Sequence, residues 1–149
     1  MIALSPDFKE FIQLLNSGNV SYLLVGGYAV ALHGYVRYTS DIDFWVGTSP
    51  ENAHLVIESL TRFGLPEAFE LFEVLQQEKR VIGIGIPPNK IEVITSIDGV
   101  DFETCYQNKL VIEIDDIALN YISLPDLVRN KKASGRYKDL NDLEHLPIP

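Results

Sequence analysis

The chain has 149 residues, of which 46% are hydrophobic and 22% are charged. This length and composition suit one compact core, so we expect a single domain over residues 1–149. The formal net charge of −9 argues against a surface that coats polyanions, and the lone cysteine, Cys105, excludes an intramolecular disulfide.

The sequence shows no feature of secretion or membrane insertion. It lacks the basic segment and apolar stretch of a signal peptide, and no apolar run reaches the roughly 18 residues that a membrane span needs. A single cysteine also fits a reducing compartment. We therefore expect a cytoplasmic protein with no membrane partner.

The first half of the chain is predicted to alternate helices and strands. Apolar spacing punctuated by Ser, Pro and Gly predicts a helix over 7–16, a strand over 21–27 that ends in a double glycine, and a helix over 28–35. An alternating run predicts a strand over 41–47. A second well-punctuated helix is predicted over 49–64.

The second half continues this mixed pattern. Its predicted elements are weak helices over 67–77 and 101–108, strands over 80–86, 90–95, 110–114 and 117–123, and final helices over 124–134 and 136–146. Together the elements indicate an α/β or α+β fold, with helices packed on a mixed sheet. We expect a core over about 20–123 and a C-terminal helical segment over 124–146.

Two aspartates, Asp41 and Asp43, lie two residues apart at the start of the predicted strand 41–47. Side chains alternate along a strand, so both carboxylates project from one side, with Cα atoms roughly 7 Å apart. Two like charges side by side repel, and a divalent cation between them would make the arrangement favourable. The pair therefore indicates a metal site, although a solvated strand end could carry the same residues.

Two further features would complete such a site. The pair Gly26-Gly27 lies between a predicted strand and a predicted helix, where missing Cβ atoms and helix N–H groups suit a phosphate. An ordinary tight turn would also use two glycines. Glu92 interrupts the apolar strand 90–95, and it could join the aspartates around two metal ions if that strand pairs beside 41–47. A solvent-facing strand position is the alternative for Glu92.

The stretch LLVGGYAVALHGYVRYTSDIDFWV resembles the signature of DNA polymerase β-like nucleotidyltransferases: a hydrophobic strand, two small residues, a helix, and Asp-x-Asp on the next strand. The third acid of that family corresponds to Glu92, although aspartate is more frequent there. The C-terminal SLPDLVRNKKASGRYKDLNDLEHL is similar to the tail of small stand-alone bacterial members, including those of toxin–antitoxin systems. The resemblance covers about residues 20–146.

This resemblance implies a nucleotidyltransferase fold and Mg²⁺-dependent (or Mn²⁺-dependent) transfer of a nucleoside monophosphate from an NTP such as ATP to an acceptor. Relatives include antitoxins that modify a toxin protein, toxins that modify tRNA, and enzymes that act on small molecules. By the same resemblance, Gly26 and Gly27 would contact the triphosphate. Asp41 and Asp43 would bind metal. Glu92 would bind metal and activate the acceptor nucleophile.

Other charged and polar residues have both a functional and a structural interpretation. Arg37 and Ser40 flank the aspartates and would hold phosphate oxygens, or lie in an exposed loop. Residues 129–138 hold five of the 12 Lys and Arg residues. Three of these would neutralise a triphosphate or merely balance a helix end: Lys131, Arg136 and Lys138. Asp139 and Asp142 lie three apart on a predicted helix, which favours capping or pairing with nearby Lys and Arg.

The sequence leaves three functions open. The leading prediction is an active nucleotidyltransferase. The second is a catalytically weak binding module of the same fold that serves as an antitoxin or as the partner of another protein, which a glutamate as third acid and an acidic surface would suit. The third is a metal-dependent phosphodiesterase that uses the same acids. The acceptor, the preferred nucleotide and the oligomeric state are undetermined.

Overall fold

The computed structural model describes residues 2–148 and confirms the predicted fold class, an α+β fold with helices packed on a mixed six-stranded sheet. The helices are α1 Pro6–Ser17, α2 Gly26–Leu32, α3 Pro50–Phe63, α4 Phe102–Gln107, α5 Leu124–Ser134 and α6 Tyr137–His145. The strands are β1 Tyr22–Val25, β2 Asp41–Val46, β3 Val81–Ile84, β4 Lys90–Ile94, β5 Leu110–Ile114 and β6 Ile117–Tyr121. Within residues 2–148 no helix is long and apolar enough to cross a membrane.

The helix boundaries follow from local capping. The hydroxyls of Ser5, Ser49 and Ser123 each accept a hydrogen bond from the backbone N–H three residues later, at the starts of α1, α3 and α5. Gly135 ends α5 in the left-handed region, with φ of +63°. The predicted weak helix over 67–77 is instead divided into two short 3₁₀ turns.

The sheet has the strand order β3-β4-β2-β1-β6-β5. The central strand β2 is antiparallel to β1 and parallel to β4. In the β2–β4 pair, Asp41 lies opposite Lys90 and Asp43 lies opposite Glu92. The strand that carries Glu92 therefore pairs beside the strand that carries Asp41, which was the condition for Glu92 to join the two aspartates.

Alternation along the strands gives the sheet two different faces. On one face, Phe44 of β2 and Val93 of β4 are buried in a core that also contains α1 and α3 side chains. On the other face, Trp45 of β2 is buried in a second core that includes Leu127 of α5. The carboxylates of β2 share the face of Trp45, so the sheet presents them toward the C-terminal helices.

Candidate metal and nucleotide site

Three carboxylates converge at one place on the sheet: Asp41, Asp43 and Glu92, which we call the acid triad. One oxygen from each lies within 4.8 Å of the other two. The parallel register of β2 and β4 produces this, because it sets Asp43 beside Glu92 while Asp41 precedes Asp43 by one full strand repeat. The predicted proximity of the three acids is thus a property of the sheet itself.

Crowding raises the pKa of two members of the acid triad. Burial and then the charge of Asp41 raise the pKa of Asp43 to about 6. A hydrogen bond with Asp41, burial and the charge of Asp43 raise the pKa of Glu92 to about 7. The metal-free triad therefore holds protons near neutral pH that isolated carboxylates would have released.

The donor set fits a divalent cation. Asp41 Oδ1 is buried and has no hydrogen-bond partner among residues 2–148, where buried polar atoms are ordinarily paired. Lys90 Nζ lies 3.8 Å from Glu92 Oε1, so one ammonium compensates part of the negative charge of the triad. Clustered carboxylate oxygens with an unpaired member are the ligands that Mg²⁺ and Mn²⁺ prefer.

A cavity of about 320 Å³ opens beside the acid triad. The sheet, the start of α2, the segment after β4 and the α5–α6 segment line it, among them Gly26, Asp43, Ser96, Asn130, Lys131 and Arg136. Gly26 has φ of +69°, in the left-handed region that favours glycine. A Cβ at this position would overlap Asp43 Oδ2. Glycine at 26 therefore keeps the junction between the cavity and the triad open.

Gly27 has a different environment from Gly26. It is buried, and a Cβ there would lie 2.8 Å from Thr39 Oγ1 and 3.1 Å from Arg37 Nη1. A side chain at 27 would press on those two residues rather than enter the cavity. The expected open approach to phosphate therefore applies to Gly26, and a triphosphate contact at Gly27 stays a prediction for its backbone alone.

Arg37 and Lys131 belong to a buried ion network with Asp139 and Asp142. Arg37 donates from Nε and Nη2 to the two carboxylate oxygens of Asp142, at 2.7 and 2.8 Å, and its side chain is only 13% exposed. Lys131 Nζ lies 3.0 Å from Asp139 Oδ1 and 3.1 Å from Asp142 Oδ2. The predicted pairing of the two aspartates with nearby cations is confirmed, and Arg37 is not an exposed loop residue.

Comparison with known proteins places this geometry in context. No known family profile matches the chain, and no curated protein sequence is detectably similar to it. Solved structures do match. A candidate nucleotidyltransferase from Thermotoga maritima superposes with a TM-score of 0.60 at 17% identity, covering 91% of this chain and 87% of that one.

A second solved structure agrees with the first. An antigenic nucleotidyltransferase-like protein from Paracoccidioides brasiliensis superposes with a TM-score of 0.54 at 18% identity, over 95% of this chain and 75% of that chain. The chain has the nucleotidyltransferase fold. At these identities the likeness concerns the fold, so activity has to be argued from the site.

The remaining predicted residues lie around the acid triad and its cavity in different environments. Arg136 pairs with Asp139 at 2.8 Å, yet its side chain is 70% exposed, and it lines the cavity. Lys138 is exposed, and its charge opposes the rise in the pKa of Asp43. Ser40 is half-buried directly before β2. Phosphate binding by each of these residues stays a prediction.

Some residues beside the acid triad or in the cavity lining were not indicated by the sequence motifs. Lys90 precedes Glu92 by two positions, so strand periodicity was a usable signal that both side chains share one face. Ser96 lines the cavity from the segment after β4, whereas Asn130 reaches it from α5 and is held there by donating to the carbonyl of Asp98 at 3.0 Å. No local pattern indicates that long-range contact.

Proposed function

We propose that this protein is a divalent-metal-dependent nucleotidyltransferase that moves a nucleoside monophosphate from an NTP to an acceptor hydroxyl and releases pyrophosphate. The observation that carries the proposal is the acid triad, whose ligand oxygens lie within 4.8 Å of one another on a nucleotidyltransferase fold. The cavity beside Gly26 supports it, because it offers a place for phosphates adjacent to the triad. The cytoplasm, where NTPs are available, is the proposed location.

The acid triad would hold the metal. Asp41, Asp43 and Glu92 would coordinate one or two Mg²⁺ or Mn²⁺ ions, with the unpaired Asp41 Oδ1 as one ligand. When bound, such ions neutralise phosphate charge and make the acceptor hydroxyl easier to deprotonate. Their charge would also offset the repulsion among the three clustered acids.

The chain's own residues supply orientation and proton transfer. The acceptor oxygen forms a bond to the α-phosphorus, the bond from that phosphorus to the bridging oxygen breaks, and pyrophosphate leaves with the electron pair. Glu92 takes the acceptor proton. Its side chain is 19% exposed, so it is accessible to the acceptor while Asp43 faces the cavity. Gly26 and Arg136 border the space where the triphosphate would lie.

The decisive experiment measures transfer of label from α-³²P-labelled NTPs, with Mg²⁺ and cell extract as the source of acceptors. Asp41→Asn, Asp43→Asn and Glu92→Gln should each reduce transfer by at least about 100-fold. Glu113→Gln is the matched control, since Glu113 lies on β5 at the far edge of the sheet. Full activity in Glu92→Gln would contradict the proposal.

A measurement of nucleotide binding distinguishes recognition of the NTP from catalysis of its transfer. Gly26→Ala should abolish Mg²⁺-NTP binding in calorimetry, because the new Cβ overlaps Asp43 Oδ2. Gly34→Ala controls for backbone strain, since Gly34 also has a positive φ, +114°, but open space around the Cβ position. Wild-type protein that binds NTP without transferring label to any acceptor would favour the alternative, a binding module that acts as antitoxin or partner of a toxin.

A further inference from the structure

Arg37 connects the C-terminal helices to the segment that leads into the acid triad. It lies between α2 and β2, and its guanidinium binds both carboxylate oxygens of Asp142 on α6. Its third nitrogen, Nη1, donates to the carbonyl of Tyr38 at 3.2 Å. The Arg37 side chain therefore links the segment between α2 and β2 to α6, which lies more than a hundred residues later in the chain.

Asp142, the residue of α6 that binds Arg37, is itself held by other contacts. Asp142 is fully buried and also contacts Lys131 of α5, which bridges to the equally buried Asp139. Breaking any one of these pairs leaves a buried charge without its partner, which is costly. Because α5 and α6 both contribute to this ion network, Arg37 is attached to two helices rather than to an isolated side chain.

Besides the contact from Arg37 to the carbonyl of Tyr38, one side-chain hydrogen bond supports the backbone between Arg37 and Asp41. Thr39 Oγ1 donates to the carbonyl of Asp41 at 3.0 Å. The absence of a side chain at Gly27 leaves the space in which Thr39 and Arg37 pack. In the Asp41 carboxylate, which is hydrogen-bonded to Glu92, Oδ1 has no hydrogen-bond partner among residues 2–148. Its direction therefore depends on the backbone that precedes β2.

We propose that Arg37 is a positioning residue, and that its ion pair with Asp142 orders residues 38–40 and thereby fixes where Asp41 presents its carboxylate. The metal consequence rests on the proposed function, whereas the ordering of the connection does not. Mg²⁺ demands near-ideal ligand placement, and partners that orient ligands typically change metal affinity 10- to 100-fold. The C-terminal helices would thus contribute to metal binding without touching the metal.

The first test measures Mn²⁺ binding alone by calorimetry on the full chain. Arg37→Lys keeps the charge but loses the two-pronged contact, and Asp142→Asn removes the anion. Each should weaken Mn²⁺ affinity at least about tenfold at a temperature where the variant is fully folded. Arg129→Lys is the control, because Arg129 makes a similar pair with the buried Asp126 at 2.6 Å but does not touch the connection. Unchanged affinity in Arg37→Lys would overturn the proposal.

The second test is hydrogen exchange without metal. Arg37→Lys should increase amide exchange in residues 38–42 at least about fivefold by local opening, while exchange in β5 and β6 stays at the wild-type rate. Arg129→Lys should leave 38–42 unchanged. Unchanged protection of 38–42 in Arg37→Lys also overturns the proposal. Wild-type protein that binds no Mn²⁺ while the exchange result holds would refute the metal site and leave the positioning role of Arg37 supported.

Discussion

The acid triad and the buried ion network place the same functional group in opposite circumstances. In the triad, carboxylates lie beside one another, and the pKa of Asp43 and Glu92 is raised. In the network, hydrogen bonds from Arg136 and Lys131 hold the pKa of Asp139 below its usual range, and those from Arg37 and Lys131 do so for Asp142, in each case against an opposing effect of burial.

The difference distinguishes a structural ion network from the candidate ligand site. Buried acids that are paired with cations hold helices together, and their charge is already compensated within the protein. Buried acids that face one another are tolerated when protons or cations offset part of their charge, and strongly shifted pKa values of this kind cluster at functional sites. The two regions are connected by Arg37, so the comparison can be tested from either end.

The largest effect is expected from removing the central cation of the network. Lys131→Met leaves two buried aspartates with reduced compensation and should lower the free energy of unfolding by about 3 kcal/mol in urea titrations. Lys132→Met is the matched control, because Lys132 is its exposed neighbour on α5. Equal stability of the two variants would mean that the network does not stabilise the fold.

A smaller effect is expected from pH, with opposite signs in the two regions. The pKa of Asp43 and Glu92 is raised in the folded state, so the folded chain binds more protons than the unfolded chain between about pH 4 and 7. Metal-free stability should therefore rise by about 1–2 kcal/mol as the pH falls from about 7.5 to 5. Below about pH 4 it should fall, because the unfolded chain then takes protons that folded Asp139 and Asp142 refuse.

Variants identify the groups responsible for each part of this pH dependence of stability. We call the part between about pH 7.5 and 5 the neutral limb and the part below about pH 4 the acid limb. Asp43→Asn should be more stable than wild type at neutral pH without metal and should flatten the neutral limb. Asp116→Asn, at an exposed turn, should leave both limbs unchanged. Saturating Mg²⁺ should reverse the neutral limb, because the ion competes with protons for the triad. A neutral limb that persists in Asp43→Asn at wild-type slope would show that other groups produce it.

The sequence was sufficient for most of the elements and for the triad. Ser5, Ser49 and Ser123 cap helices through hydrogen bonds to residues only three positions later, so the local sequence indicates those boundaries. Asp41 and Asp43 share a face by strand periodicity. Glu92 could be added only on the condition that its strand pairs with β2, and the resemblance to nucleotidyltransferases supplied the reason to expect that pairing.

Residues whose partners are distant in sequence were less predictable. Arg37 and Asp142 are separated by 105 positions, and no local pattern distinguishes an arginine that binds phosphate from one that binds a buried carboxylate. Lys131 likewise looks like the basic end of a helix until α6 folds back on it. Gly27 resembles a phosphate-binding glycine in the motif, whereas its neighbours in space are Thr39 and Arg37.

The smallest effect is expected from the basic residues that the network does not bury. Arg136 is 70% exposed at the cavity, and the charge of Lys138 acts on Asp43. Under the proposed function, these cations would attract an anionic nucleotide toward a protein whose net charge is −9. Because exposed charges are screened over about 10 Å at 0.1 M salt, their contribution should be modest and salt-dependent.

The double variant Arg136→Ala with Lys138→Ala should therefore weaken Mg²⁺-NTP binding by about three- to tenfold at low salt, and the difference from wild type should shrink as salt is added. The control is Arg62→Ala with Lys109→Ala, which removes the same total charge from positions outside the cavity lining. A loss of equal size in the control would mean that net charge acts, rather than local charge. A loss that is independent of salt would instead indicate a direct, desolvated contact between Arg136 and phosphate, which is a stronger role than the exposure of its side chain predicts.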